Sequence, residues 1–272
     1  MSTLPAANVP PLPPVPPLNK LFITGASSGI GQALAEHYAA QGAQLGLCAR
    51  RADALQQLAA RWPGQVHCYP LDVTDAAALR AAGEDFMARL GVPDVVIANA
   101  GISRGTLSEH AEDLDVIRRI MDTNFFGMAA TFSPFIGGMR RSGRGRLVGI
   151  ASVAGIRGLP GSEAYSASKA AAITYLESLR VELRPSGVKV VTICPGYIGT
   201  PMTAVNPFPM PFLLSAEAAA PRFARAIEKG RSYVVIPWQM GVVARLLRLL
   251  PNAVYDRLMV AAPRKPRQAS PE

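Results

Sequence analysis

"KLFITGASSGIGQALAEHYAAQG", residues 20–42, joins two hydrophobic patterns through Gly25, Gly29 and Gly31. "KLFIT" is a short apolar run without alternation, as in a strand covered on both faces. "GQALAEHYAA" carries its apolar residues at helical spacing. Between them, Gly25, Ser27, Ser28, Gly29, Ile30 and Gly31 form a strand-to-helix turn. Glycine lets the backbone turn tightly and approach a pyrophosphate, whose charge meets the amides of the following helix N-terminus. The spacing is GxxxGxG rather than GxGxxG, and a plain tight turn would read the same way.

The alternation continues through the chain. Apolar runs "AQLGLCA", "VHCYPLDV", "PDVVIANAG", "GRLVGIAS", "VKVVTICPG" and "SYVVIP" are separated by helical stretches, among them residues 51–62, 117–140 and 162–184. Thr74 or Asp75 can cap the helix at residues 76–91, and a later helix begins near Ser215. Apolar strands alternating with helices predict an α/β fold, a doubly wound parallel sheet with helices on both faces, over residues 20–240. In such sheets ligands bind beyond the carboxyl ends of the strands, so the residues following each run carry the functional signal.

The bulk composition excludes other classes. The 272 residues, 49% hydrophobic and 17% charged, suffice for one sizeable core. Cys48, Cys68 and Cys194 sit in apolar runs without CxxC pairing, as reduced core residues of a cytoplasmic protein do. The three histidines are scattered, so no metal site is expected. Seven prolines in the first twenty residues predict a disordered N-terminal tail over 1–19, without the pattern of a signal peptide. No stretch is long and apolar enough to span a membrane. The net charge of +9 is concentrated late: residues 222–272 hold ten basic side chains against three acidic ones. Such an end is either a solvated face or a contact for an anionic partner.

The end of the second apolar run discriminates between cofactors. It reads "LCARRADAL", with Ala49 where an acid would accept ribose hydroxyls, then Arg50 and Arg51. Asp53 lies beyond the arginines and reads as the start of the next helix. Two guanidiniums suit a 2′-phosphate, which favours NADPH/NADP+ over NADH; the alternative is two surface arginines on a loop. Asp72 can accept from an adenine amino group while Val73 packs the ring. Asn99, Ala100 and Gly101 offer a small, flat surface, and each of these is also an ordinary strand-end turn.

Tyr165 precedes Lys169 by four residues in "EAYSASKAA", one turn along the same helix face. Alone the pair could be surface decoration. In order, however, "TGASSGIG", "NAG", "GIASVAG", "YSASK" and "CPGYIGT" resemble the short-chain dehydrogenase/reductase family, in its compact single-domain branch, over roughly residues 20–240. The resemblance implies a Rossmann-type fold, a nicotinamide cofactor and a catalytic set of Asn124, Ser152, Tyr165 and Lys169. It also implies that Asn124 bends its helix and joins a water relay, and that Lys169 holds the nicotinamide ribose. Pro195, Gly196, Ile198 and Thr200 of "CPGYIGT" would border the nicotinamide carboxamide. Carbonyl reduction requires a hydride on carbon and a proton on oxygen. A phenol beside an ammonium is expected to have a lowered pKa, and Ser152 to stabilise the carbonyl oxygen.

"PMTAVNPFPMPFLLS", residues 201–215, is uncharged and rich in Met, Phe, Leu and Pro, at the family's substrate loop. It suits a small apolar carbonyl or alcohol substrate, or packing against another subunit of a homodimer or homotetramer. Residues 241–272 alternate apolar clusters with arginines, as a peripheral membrane helix does; a helix covering the core would look alike. Nothing points to nucleic acid. An NADP(H) sensor on the same fold is the rival class, and an intact Tyr165/Lys169 pair speaks against it. An epimerase or dehydratase of the family's extended branch is disfavoured by the glycine spacing and the short C-terminal part.

Overall fold

A computed structural model describes residues 18–267. The proline-rich tail expected over 1–19 lies outside these residues except for Leu18 and Asn19.

The chain alternates as its pattern demands. It runs β1 (Lys20–Thr24), α1 (Gly29–Ala39), β2 (Gln44–Ala49), α2 (Ala52–Ala60), β3 (Val66–Pro70), α3 (Ala76–Leu90) and β4 (Val95–Ala98). Then come α4 (Asp113–Met121), α5 (Gly127–Ser142), β5 (Arg146–Ile150), α6 (Glu163–Leu183) and β6 (Lys189–Pro195). The last part holds β7 (Ile198–Gly199), α7 (Pro201–Ala204), β8 (Leu214–Ser215), α8 (Ala216–Glu228), β9 (Tyr233–Ile236), α9 (Trp238–Leu249) and α10 (Asn252–Met259). The two expected caps are resolved: Asp75 accepts from the Ala78 amide at 2.9 Å, and Ser215 from the Ala218 amide at 3.1 Å.

Seven parallel strands form one sheet in the order β3-β2-β1-β4-β5-β6-β9. The chain winds outward from β1 to β3, then returns to place β4 on the other side of β1. The order in which strands are added therefore reverses between β1 and β4, opening a crevice at their carboxyl ends. This is a Rossmann-type doubly wound fold. Alternate residues of β1 face opposite layers. Leu21 and Ile23 pack with Leu34, Tyr38 and Phe223 from α1 and α8. Phe22 packs with Phe86, Phe132 and Phe135 from α3 and α5.

Two details refine the expected pattern. The helical stretch 117–140 is divided: a single π turn, Asp122–Phe126, lies between α4 and α5. The C-terminal stretch is two helices, α9 and α10, turned at Pro251. Arg157 holds this corner, donating to the Leu247 and Leu250 carbonyls at 2.6 and 2.8 Å and stacking 3.9 Å over the Tyr255 ring. A cation at a helix C-terminus satisfies its orphan carbonyls and its dipole. Among the described residues no helix is long and apolar enough to cross a membrane.

Candidate active site

The strand ends of β1, β2, β4, β5 and β6 open on a cleft of about 420 Å³. Its floor begins at the turn after β1. Gly25 and Gly29 have φ of +66° and +58°, and a Cβ on Gly25 would lie 2.8 Å from the Ala100 Cα. Only glycine fits there without strain. Gly31 is not on the cleft wall; a side chain on it would meet the Gly25 carbonyl and the Asn99 amide, so it serves the close approach of α1 to the turn. Asn99 fastens that turn, its Nδ2 donating to the Thr24 and Gly25 carbonyls, each at 3.1 Å. Ser28, the residue before α1, makes no side-chain cap, which leaves the first amides of α1 open to an anion in the cleft.

The two arginines lie where β2 ends. Arg51 donates to the Ser27 carbonyl at 2.8 Å and reaches its hydroxyl at 3.3 Å. Arg50 stands 3.8 Å from the Asp72 carboxylate. One Asp72 oxygen is engaged by the Thr74 amide and hydroxyl, at 3.0 and 2.9 Å. Asp72 and Val73 line the cleft, and Val73 is also part of the core beneath. The cleft thus pairs uncapped amides at one turn with two guanidiniums beside it, a donor set suited to a dinucleotide's phosphates.

At the other end, Ser152 follows β5 and opens a short 3-10 turn, Val153–Gly155. Its Oγ accepts from the Ala154 amide at 3.1 Å, so its own proton is free to donate elsewhere. The turn lies directly on α6: a Cβ on Gly155 would be 2.6 Å from the Lys169 carbonyl carbon. That contact brings Ser152 to Tyr165 and Lys169, and all three line the cleft. The Lys169 ammonium donates to the Ile150 carbonyl at 2.8 Å and lies 5.8 Å from the Tyr165 ring centre.

The electrostatics run against one expectation. Burial raises the Tyr165 phenol above its ordinary value, with the neighbouring Ser152 hydroxyl pulling the other way. Burial also brings Lys169 down to about 8. The expected lowering of the phenol by the ammonium is absent here, because desolvation disfavours both charged forms and Lys169 directs a proton at Ile150.

Asn124 is fully buried behind the cleft rather than on its wall. Its Oδ1 accepts from the Ile102 amide at 2.8 Å; its Nδ2 donates to the Ile102 carbonyl at 3.0 Å and to Ser168 Oγ at 2.9 Å. Ser168 in turn donates to the Tyr165 carbonyl at 2.8 Å. Asn124 lies in the π turn, the bend that the resemblance implied. Pro195, Gly196, Ile198 and Thr200 close the far wall, and the Thr200 methyl lies against Gly29. Sequence reasoning missed Ser168, inside "YSASK", and the main-chain oxygen of Ile150. It also missed Gly155, although a glycine three residues after Ser152 was visible in "GIASVAG".

A crevice at a strand-order reversal, with a phosphate-suited turn and a tyrosine, lysine and serine at its end, defines a nicotinamide-dinucleotide oxidoreductase. The chain belongs to the short chain dehydrogenase family, whose sequence model matches residues 19–207. It is 42% identical over 238 residues to an uncharacterized oxidoreductase of Myxococcus xanthus, covering 86% of this chain and 94% of that one. It is 35% identical over 270 residues to the bovine (Bos taurus) dehydrogenase/reductase SDR family member 7B, covering 92% and 82%. A crystal structure of a short-chain dehydrogenase from Streptomyces avermitilis superposes with a TM-score of 0.73 at 28% identity, covering 89% of this chain and 96% of that one. The protein is accordingly an NAD(P)-dependent dehydrogenase/reductase.

Proposed function

We propose that the protein interconverts an apolar ketone or aldehyde and its alcohol, using NADPH/NADP+. The observation that carries this reading is the state of Ser152. One of its two lone pairs takes the Ala154 amide, which orients the hydroxyl, and its proton can polarise a carbonyl placed beside Tyr165. The bound cofactor supplies the hydride that the carbonyl carbon receives. Tyr165 delivers the proton to the carbonyl oxygen, and its high pKa in the protein alone keeps it a phenol and hence a donor. Lys169, held by Ile150, is placed to bind the nicotinamide ribose and to stabilise the phenolate left behind.

Arg50 and Arg51, with Ser27, support preference for the 2′-phosphorylated cofactor. Val205, Phe212 and Leu213, all about half exposed in the segment after β7, support an apolar substrate. The experiment is NADPH oxidation with a ketone panel. Tyr165→Phe should lower turnover about 10²- to 10⁴-fold while dinucleotide binding persists. Undiminished turnover would remove Tyr165 from the proton-donor role.

The outer faces of α9 and α10 support peripheral contact with an anionic lipid surface. Trp238, Leu246, Leu249, Leu258 and Val260 are each more than half exposed, and Arg245, Arg248 and Arg257 accompany them against Asp256 alone. Sedimentation with phosphatidylglycerol vesicles should carry the protein down, and Leu246→Glu/Leu249→Glu should release it. Self-association of the native chain through these residues, without vesicle binding, would overturn the lipid assignment.

A further inference from the structure

The chain does not leave the domain after α10. Residues 264–267 turn back across the catalytic end and run between two loops that border Tyr165. Both loops carry a glycine where the strap passes. A Cβ on Gly161 would lie 3.0 Å from the Arg264 Cβ, and one on Gly105 would lie 2.8 Å from the Pro266 carbonyl oxygen. Beyond them Arg267 grips the 102–113 loop, with Nε 2.9 Å from the buried Asp113 carboxylate and a terminal nitrogen 3.1 Å from Glu112. Asp113 is itself fixed by the Leu107 amide at 2.7 Å. The two loops are shaped to receive this strap.

What the strap delivers is an ammonium. Lys265 Nζ donates to Ser103 Oγ at 2.9 Å and stands 5.9 Å from the Tyr165 ring centre. It is half-buried, Arg104 adds a second positive charge nearby, and no carboxylate among the described residues pairs with it. Among the described residues, Lys265 and the nearby Arg104 face a neutral hydroxyl and no carboxylate, an arrangement suited to an anion. The cofactor's phosphates do not serve, since the uncapped amides of α1 and the Arg50/Arg51 pair lie at the opposite end of the cleft. At 5.9 Å from the Tyr165 ring centre, the ammonium is within reach of an anionic group a few bonds from a carbonyl placed at Tyr165.

We propose that Lys265 is a specificity-determining residue that receives a carboxylate of the carbonyl substrate, so that the preferred substrates are oxo acids with an apolar chain. The acid would sit under the strap and the apolar chain along the cleft, whose wall includes Pro201 and Met202. The proposal rests on the reading of the cleft as a carbonyl-reducing site, and its test separates the two. The kcat/KM ratio of 4-oxodecanoate to its methyl ester should exceed ten in the native enzyme. In Lys265→Met that ratio should fall at least tenfold, whereas Lys265→Arg should retain most of it. A native ratio near one, or a ratio unchanged in Lys265→Met, overturns the proposal and leaves carbonyl reduction standing.

A second readout needs no turnover. Calorimetric titration of decanoate into the protein with NADP+ should give a Kd that rises at least tenfold in Lys265→Met and not in Lys265→Arg. No binding to the native protein, or an unchanged Kd, overturns the proposal. If neither carbonyl probe nor any ketone is reduced, the functional reading fails, and the titration still decides the role of Lys265. Should Lys265→Met not fold, Lys265→Gln carries the same comparisons.

Discussion

The Lys169 ammonium lies 2.8 Å from the Ile150 carbonyl oxygen, so the last residue of β5 anchors the first turns of α6. Burial there brings the lysine to about 8. The unfolded chain keeps this proton up to the ordinary lysine range, so between these limits it binds more protons than the folded one. Stability from this group is therefore lost as pH falls through 8 and is complete only above the unfolded value. Chemical denaturation from pH 7 to 10 should show the native protein gaining on Lys169→Met with rising pH, on the order of 1–3 kcal/mol. A flat difference between the two would mean the lysine is not desolvated.

Ser152→Ala removes a hydroxyl proton that can meet a carbonyl oxygen beside the Tyr165 phenol. It should lower kcat about 10²- to 10³-fold and leave the dinucleotide Kd nearly unchanged. Stopped-flow hydride transfer and fluorescence titration measure the two separately.

Gly155→Ala tests the contact between the Ser152 turn and α6. The added Cβ would lie 2.6 Å from the Lys169 carbonyl carbon, so the turn must shift and carry Ser152 with it. A displacement on the order of 1 Å should cost about 100-fold in kcat. Gly158→Ala is the control, because nothing lies within 4 Å of the Cβ it would add.

Arg50→Ala/Arg51→Ala should weaken NADPH by about 10- to 100-fold and NADH far less, a loss equal to one charge-assisted hydrogen bond of about 1.5–3 kcal/mol shared between two exposed guanidiniums. Equal losses for both cofactors would show that the arginines do not read the 2′-phosphate.

The strap has its own pH dependence. The Arg267 guanidinium, and after it the Leu107 amide, hold Asp113 below the usual carboxylate range. Its contribution is present at neutral pH, above the unfolded carboxylate value, and is lost as pH falls through the depressed folded one. Hydrogen exchange at Leu107, whose amide is bonded to Asp113, should accelerate under acid relative to the intrinsic amide rate at the same pH. Arg267→Ala should accelerate it already at neutral pH.

The sheet was legible in the sequence because buried parallel strands announce themselves as unbroken apolar runs, several of them followed by glycine, asparagine or serine. "NAG" was visible as a strand end, but Asn99's bonds to Thr24 and Gly25 join residues about 75 positions apart and have no local signature. The π turn around Asn124 left the apolar spacing of residues 117–140 intact, so one continuous helix was the natural reading. The direction of the Tyr165 pKa could not be read from a same-face spacing, because desolvation depends on everything packed around α6. The strap was hidden for the same reason: a basic C-terminal stretch looks like a solvated tail until Gly105 and Gly161 are seen to make room for it.

The ion pair between Asp113 and Arg267 spans 154 positions and closes only when the last part of the chain is present. During synthesis the glycine turn, the serine turn and the catalytic helix can all assemble while residues 264–267 are still inside the ribosome. The nascent domain would then hold a dinucleotide cleft with an open roof, able to bind cofactor before it can choose among substrates. If Lys265 selects the substrate as proposed, cofactor binding precedes selectivity as the chain is made.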